Sequence, residues 1–388
     1  MLRSTKFPAY VLSLCLLWVG SAHSQGPSQP ASGMTTHDRI QAAGWWPTRR
    51  DASRKEFVGS ARCADCHSDI YARQAQTSMA KAGNPGSSTA GLQSRPTLSA
   101  RQGQYMYEIS NTGSGSQYRV WSGQDQLAGP LNWIFGAGDI GQTYILERGG
   151  NFLESHVSYY PALHGLDLTP GQMAGPPKNL KQAVGHPMEE EDTRLCFGCH
   201  TTGSMITDRF DPNQATPGVT CEACHGPGAK HVAAAQANQV DHAVKAILNP
   251  GRLKPADQVD YCGACHRSSA DVASFPAGTL GLLGVRFQPY RLQKSKCWRK
   301  GGGITCLSCH DPHQQIVRDA TAYDKYCLTC HQASQAEAKS AVAKAPACPV
   351  NSVNCVSCHM KKYDIWAAHA TFTDHYIRIV RAGEKYPE

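Results

Sequence analysis

The chain has 388 residues, a formal charge of +8 and 17 cysteines, with 41% hydrophobic and 18% charged residues. That apolar share excludes a disordered chain, and the length alone suggests two or three domains. The basic charge invites a nucleic-acid reading, which the cysteine pattern removes below.

Residues 1–24 read as a secretory signal peptide. Arg3 and Lys6 form a basic start, Ala9 to Val19 an apolar stretch too short to span a bilayer, and Ala22-His23-Ser24 a cleavage site. Cys15 follows Leu14 inside the apolar stretch, which argues against a lipid anchor. No later segment is apolar enough to cross a membrane, so the mature protein is expected to be soluble and exported, periplasmic or beyond. An uncleaved signal anchor is the alternative. Residues 25–45 are rich in Ser, Pro, Gly and Ala and read as a flexible leader. Arg49, Arg50, Arg54 and Lys55 follow and read as a solvated segment, with a docking patch for an acidic partner as the alternative.

Cys63-Ala64-Asp65-Cys66-His67 opens the patterned part of the chain. Ser68 to Gly83 is expected to be a helix, stopped by a turn at Gly83-Asn84-Pro85-Gly86. Residues 93–170 contain no cysteine and alternate in polarity. Gln104 to Ser110 places Tyr105, Tyr107 and Ile109 on one face, and Tyr118 with Val120 marks a second strand. Thr143 to Glu147 and Asn151 to Tyr160 flank Gly149-Gly150, a hairpin signal. Phe135 to Gly141 resembles a phosphate-cradling loop but lacks its Gly-Lys-Ser/Thr ending, so tight turns are expected there. Met188-Glu189-Glu190-Glu191-Asp192 reads as the start of a helix leading into Cys196, and Tyr323 to Ala345 as a broken helix.

From Cys63 to His359 the pattern Cys-x-x-Cys-His occurs seven times. Its cysteines are Cys63 and Cys66, Cys196 and Cys199, Cys221 and Cys224, Cys262 and Cys265, Cys306 and Cys309, Cys327 and Cys330, Cys355 and Cys358. The closing histidines are His67, His200, His225, His266, His310, His331 and His359. This spacing is that of covalent haem c attachment: two thiols become thioethers to the porphyrin vinyls and the histidine becomes a proximal iron ligand. A zinc array would not need every Cys-x-x-Cys half to be followed by histidine. Seven covalent haems are therefore expected, about 52 residues each after signal removal. Six of the motifs lie between Cys196 and His359, too little peptide for an ordinary apolar core, so porphyrin faces are expected to serve as core. Each ferric haem contributes a net charge of about −1 through its propionates, so much of the Lys and Arg is expected to pair with them. No nucleic-acid partner is expected.

The far side of each iron decides between electron transfer and substrate chemistry. Candidates for distal ligands are His231, His313, His369, His375, His186 and His242. His37, His156 and His164 read as surface or β-module residues. Met79, on the helix expected after the first motif, is either an ordinary apolar residue or a thioether ligand that would raise the potential of its haem. Cys297 and Cys348 stand outside the motifs; a disulfide is expected, with a thiolate ligand or a free thiol at Cys297 as alternatives. Arg291, Lys294, Lys296, Arg299 and Lys300 form a basic cluster around Cys297, read as propionate partners or a docking surface.

From about Phe57 to Arg381 the chain resembles bacterial multihaem c-type cytochromes of the cytochrome c-552/c-554 type. The resemblance rests on Cys63 to Ala80, Cys196 to Thr202, Cys221 to His231, Cys306 to His313, Cys355 to Lys361 and Phe372-Thr373-Asp374-His375. It implies closely packed, mostly bis-histidine haems used for periplasmic electron transfer. Where the family often carries a ligand within Ser-x-His-Ala, this chain has Met79, which favours a His/Met haem there. Relatives resembling pentahaem nitrite reductases carry Cys-x-x-Cys-Lys at the catalytic haem, and no such motif occurs here.

The expected fold class is α+β: a haem-dense, mostly helix-and-loop cytochrome with a small inserted antiparallel β-module. The expected division is a signal peptide over 1–24, a leader with the first haem module over 25–92, the β-module over 93–170 and a six-haem domain over 171–388. The expected function is electron transfer between redox proteins, with a membrane quinol-linked donor among the candidate partners. The alternatives are a multihaem reductase of a small nitrogen or sulfur oxyanion, or a subunit of an extended conducting assembly.

Overall fold

The computed structural model describes residues 53–87, 97–112, 115–172, 175–206, 209–276, 278–299, 303–331, 348–350 and 352–387. The signal peptide, the leader, His37, Arg49, Arg50, Lys300 and most of the expected helix after Tyr323 lie outside these residues. All described residues belong to one compact unit.

The alternating segments fold as expected. Strands β2 (Thr97–Gln102), β3 (Tyr105–Thr112), β4 (Gly115–Ser122) and β5 (Asp125–Pro130) form an antiparallel meander in sequence order. Tyr105, Tyr107 and Ile109 turn inward from β3, and Tyr118 and Val120 from β4, all buried. This is the period-two placement of a half-buried strand. A second antiparallel sheet has the order β1 (Gly83–Pro85), β6 (Trp133–Phe135), β7 (Thr143–Arg148), β8 (Asn151–Ser155) and β11 (Gly185–Pro187). Gly149 and Gly150 join β7 to β8 with φ of 59° and 80°. Positive φ at both central residues is what a primed hairpin turn requires. One apolar cluster draws on both sheets and on helix α2 (Leu180–Val184), through Tyr107, Tyr118, Ile134, Tyr144, Leu153 and Ala183.

Three expectations are corrected. Gly83–Pro85 is a strand rather than a turn, because Trp133–Phe135 pairs with it; proline is tolerated there since β1 is an edge strand. The span Asn151 to Tyr160 is not one strand. It breaks at His156, after which β9 (Val157–Tyr160) pairs with β10 (Gly165–Leu168) in a separate hairpin. The helix expected over Ser68 to Gly83 is α1 (Ser60–Gln74); it starts before the first motif, is kinked at His67 and ends at Gln74. Met79 therefore sits in a turn, not on a helix. Hydrogen bonding of the β-module reaches past 93–170 at both ends, through β1 and β11.

Beyond residue 187 the expected character changes to short helices. Helix α3 (Glu190–His200) starts at the acidic run and ends on the second motif. The apolar clusters there are small: Phe197 with Phe135 and Ile145, and Val285 with Ile365 and Ala368. Among the described residues no helix is long and apolar enough to cross a membrane.

Candidate metal centres

Most motifs lie at the end of a helix or form one. α1 carries the first, α3 the second, α4 (Cys221–His225) the third, α5 (Ala229–Gln236) the segment after it, and α7 (Pro255–His266) the fourth, with α6 (Val240–Lys245) between. The fifth begins in a 3-10 turn, Cys306–Ser308, the sixth begins at Cys327 within α9 (Asp324–Leu328), and α10 (Cys355–His359) is the seventh. In a helix, residues i, i+3 and i+4 share one face, so the second, third, fourth and seventh motifs, helical throughout, offer two thiols and an imidazole on the same side.

Three imidazole pairs face one another across gaps. Ring centroids are 6.4 Å apart for His67 and His231, 6.1 Å for His225 and His313, and 6.3 Å for His310 and His375. A metal–nitrogen bond of about 2.0 Å on each side, plus about 1.1 Å from nitrogen to ring centre, separates two trans imidazoles by about 6.2 Å. Haem iron between two imidazoles therefore fits all three gaps. The outer nitrogens are anchored. Nδ1–H donates to a backbone carbonyl from His200 (Ala82, 2.9 Å), His225 (Leu248, 2.7 Å), His231 (Ala243, 2.8 Å), His359 (Arg378, 2.9 Å) and His375 (Thr373, 3.1 Å). His313 Nδ1 lies 3.3 Å from the Asp311 carboxylate, which also accepts from the His313 backbone N–H. Such bonds fix the tautomer and leave Nε2 for a metal. Burial pushes the His200, His266 and His310 imidazoles below their ordinary range; burial and the neighbouring His310 push His375 down to about 4. All four are thus held neutral, the form that ligates iron. Among the described residues no three His, Cys, Asp or Glu side chains converge as a conventional metal cage.

The motifs also touch one another. Cysteines of different motifs lie close to one another: Cys63 to Cys221, Cys199 to Cys265, Cys262 to Cys306, and Cys327 to Cys355. Tyr261, just before the fourth motif, donates to the Cys224 carbonyl of the third. Tyr323, just before the sixth, stacks edge-on against His310 of the fifth at 5.5 Å.

The other candidates are placed differently. His369 is turned away from the motifs: its Nε2–H donates to Asp167 at 2.9 Å and its ring packs on Tyr160, so the nitrogen an iron would need is taken. His186 Nδ1 lies within hydrogen-bond reach of Gln172 Nε2 and 3.5 Å from the Glu154 carboxylate. His242 is exposed on α6. Met79 lies in the turn that follows α1. Its carbonyl accepts from Ala82 and Val219, and Ala82 in turn accepts from His200. Cys297 is half-buried near Cys309 and Cys330, and Cys348 is exposed. The basic cluster is not all surface. Arg291 is fully buried and pairs with Asp374 through Nε (2.8 Å) and Nη2 (2.9 Å), so it serves neither a propionate nor a partner. Arg54, read as solvated, donates to Thr216 at 3.2 Å.

The sequence reading missed the carboxylates that hold these ligands. Asp374, next to His375, takes two bonds from Arg291 and a third from Arg378 at 2.9 Å. Tyr386 and Tyr376 stack on the Arg291 guanidinium at 4.5 and 5.3 Å. Ser295, fully buried, donates to the His375 carbonyl and accepts from Ile377. Only the adjacency of Asp374 to a candidate ligand could have signalled the first of these.

The family described as cytochrome c554 and c-prime matches residues 172–226 and 311–360, which contain the second, third, sixth and seventh motifs. No curated protein matches the chain. A similar solved structure is the outer cell wall cytochrome OcwA, at 15% identity and a TM-score of 0.45 over 84% of this chain and 80% of that one.

Proposed function

We propose that this multihaem c-type cytochrome is exported, carries seven haems and passes electrons between redox proteins. The observation that carries the proposal is the three imidazole pairs at 6.1 to 6.4 Å. Two imidazoles on one iron leave it no open coordination position, which suits electron transfer. His67 with His231, His225 with His313 and His310 with His375 would each hold an iron between them, and Met79 remains a candidate thioether ligand. Bound haem would supply the one-electron iron chemistry. The chain supplies thiols, neutral imidazoles with fixed outer nitrogens, and order.

That order is supported by the contacts between motifs. They link the first to the third, the third to the fourth, the fourth to the fifth, the fifth to the sixth and the sixth to the seventh, with the second attached to the fourth. Residues 93–170 are a haem-free β-module between the first motif and the six-haem domain of 171–388. The signal peptide expected over 1–24 supports export, and a membrane quinol-linked protein is one fitting donor.

The test is a haem-to-protein ratio on the purified exported protein, together with turnover assays using nitrite, hydroxylamine and tetrathionate. Seven haems per chain and no turnover are expected. Fewer haems, or turnover of any of the three, would overturn the reading.

A further inference from the structure

Glu222 lies inside the third motif, between Cys221 and Cys224, and is 3% exposed. Its Oε1 accepts from the backbone N–H groups of Val58 (2.9 Å) and Gly228 (2.8 Å), and its Oε2 accepts from Gly59 (2.8 Å). Gly59 immediately precedes α1, the helix that carries Cys63, Cys66 and His67. Gly228 immediately precedes α5, the helix that carries His231. Amides at helix starts have no partner within their own helix, and an anion there is also favoured by the helix dipole. One carboxylate thus starts both helices, and those helices deliver the two rings paired at 6.4 Å.

The seam around it is closed and tight. Lys230 pairs with Glu56 at 3.3 Å, and Arg54 reaches Thr216, so residues before α1 clamp onto those flanking the third motif. A Cβ on Gly228 would lie 2.9 Å from Val58 Cγ2 and 3.3 Å from Glu222 Oε1. The device recurs at the other end of the motif series. Asp324, at the start of α9, accepts from the backbone N–H groups of Asn354 and Cys355, and so ties the sixth motif to the start of α10.

We infer that Glu222 is the positioning residue for the axial pair of the first motif, exerted from within the third. This rests on the assignment of His67 and His231 as one axial pair. Glu222 acts through the two helix starts. In Glu222→Gln one carbonyl oxygen can still accept from Val58 and Gly228, but an NH2 group then faces the Gly59 N–H. Glu222→Ala removes all three bonds.

The test compares low-temperature magnetic resonance spectra and redox titrations of the oxidised, haem-loaded full chain. His231→Ala identifies the signal of the first-motif haem by converting one low-spin iron to high-spin. Glu222→Gln is expected to shift that same signal and its midpoint potential, and Glu222→Ala to convert part of it to high-spin, while the signal lost in His375→Ala stays unchanged in both. If His231→Ala leaves every low-spin signal in place, the axial assignment fails and this inference falls with it. If His231→Ala removes one signal but both Glu222 variants keep it unshifted, the axial assignment stands and the role of Glu222 is overturned. Should Glu222→Ala fail to fold, Glu222→Gln decides alone.

Discussion

Arg291 and Asp374 are both inaccessible to solvent, and two buried charges persist only when their hydrogen bonds are nearly all made. Asp374 meets that condition through Arg291, Arg378 and the Tyr376 N–H. Arg291→Ala leaves Asp374 with Arg378 alone among its cations and removes the guanidinium that Tyr386 and Tyr376 cover. A loss of about 3–5 kcal/mol is expected from uncompensated burial, measured by denaturant unfolding of the haem-loaded protein. A loss below about 1 kcal/mol would mean that the pair does not organise the segment around His375. At this scale the motif spacing singles out His67 or His310 locally, whereas the histidines that lie near them come from distant parts of the chain, as His313 does for His225 and His375 for His310. His369 looks equally suitable in the sequence until Asp167 is seen to bond its Nε2.

The strands were legible because alternation is a local signal, and Tyr105, Tyr107 and Ile109 display it plainly. The first helix was not, because its start is set by Glu222, more than 160 residues away, and its register changes at His67. Gly83–Pro85 looked like a turn on composition and became a strand because Trp133–Phe135 offers it a ladder. The glycine-rich loop after Phe135 is built from tight turns: Gly136 has φ +105°, and a Cβ there would meet the Gly141 carbonyl oxygen at 2.2 Å. Gly136→Ala should cost about 1–3 kcal/mol in thermal unfolding, with the haem absorption spectrum unchanged. A spectrum altered without loss of stability would assign that loop to haem contact instead. The tie from α9 to α10 carries a pH prediction. Backbone N–H groups of Asn354 and Cys355 hold the Asp324 carboxyl below the usual carboxylate range. A depressed folded value adds stability that is present above the ordinary value of about 3.9 and is lost as pH falls through the lower folded one. Hydrogen-exchange protection at the start of α10, taken relative to the intrinsic rate at each pH, should therefore fall on acidification through that window, so that, relative to that rate, exchange rises. Asp324→Asn should raise it already at neutral pH and abolish the acid step; an acid step that survives in Asp324→Asn would place its source elsewhere.

At the scale of the whole molecule, the chain divides its stabilisation between two kinds of core. The β-module buries an ordinary apolar cluster of tyrosines and aliphatic residues. Among the described residues the helical part shows small apolar clusters, and histidine pairs, neighbouring cysteines and carboxylates link one motif to another. The helical part should accordingly depend on haem far more than the β-module does. Protein made without haem attachment should keep protease-resistant fragments from the β-module and lose those from residues 190–380. Equal resistance of both parts would argue against haem as their core. The central claim, that facing imidazoles close the irons for electron transfer, is tested most directly by the low-temperature magnetic resonance spectrum of the oxidised protein and its His313→Ala and His375→Ala variants. The account predicts that each substitution converts a different low-spin iron to high-spin. Spectra in which either substitution leaves the low-spin set intact would contradict it.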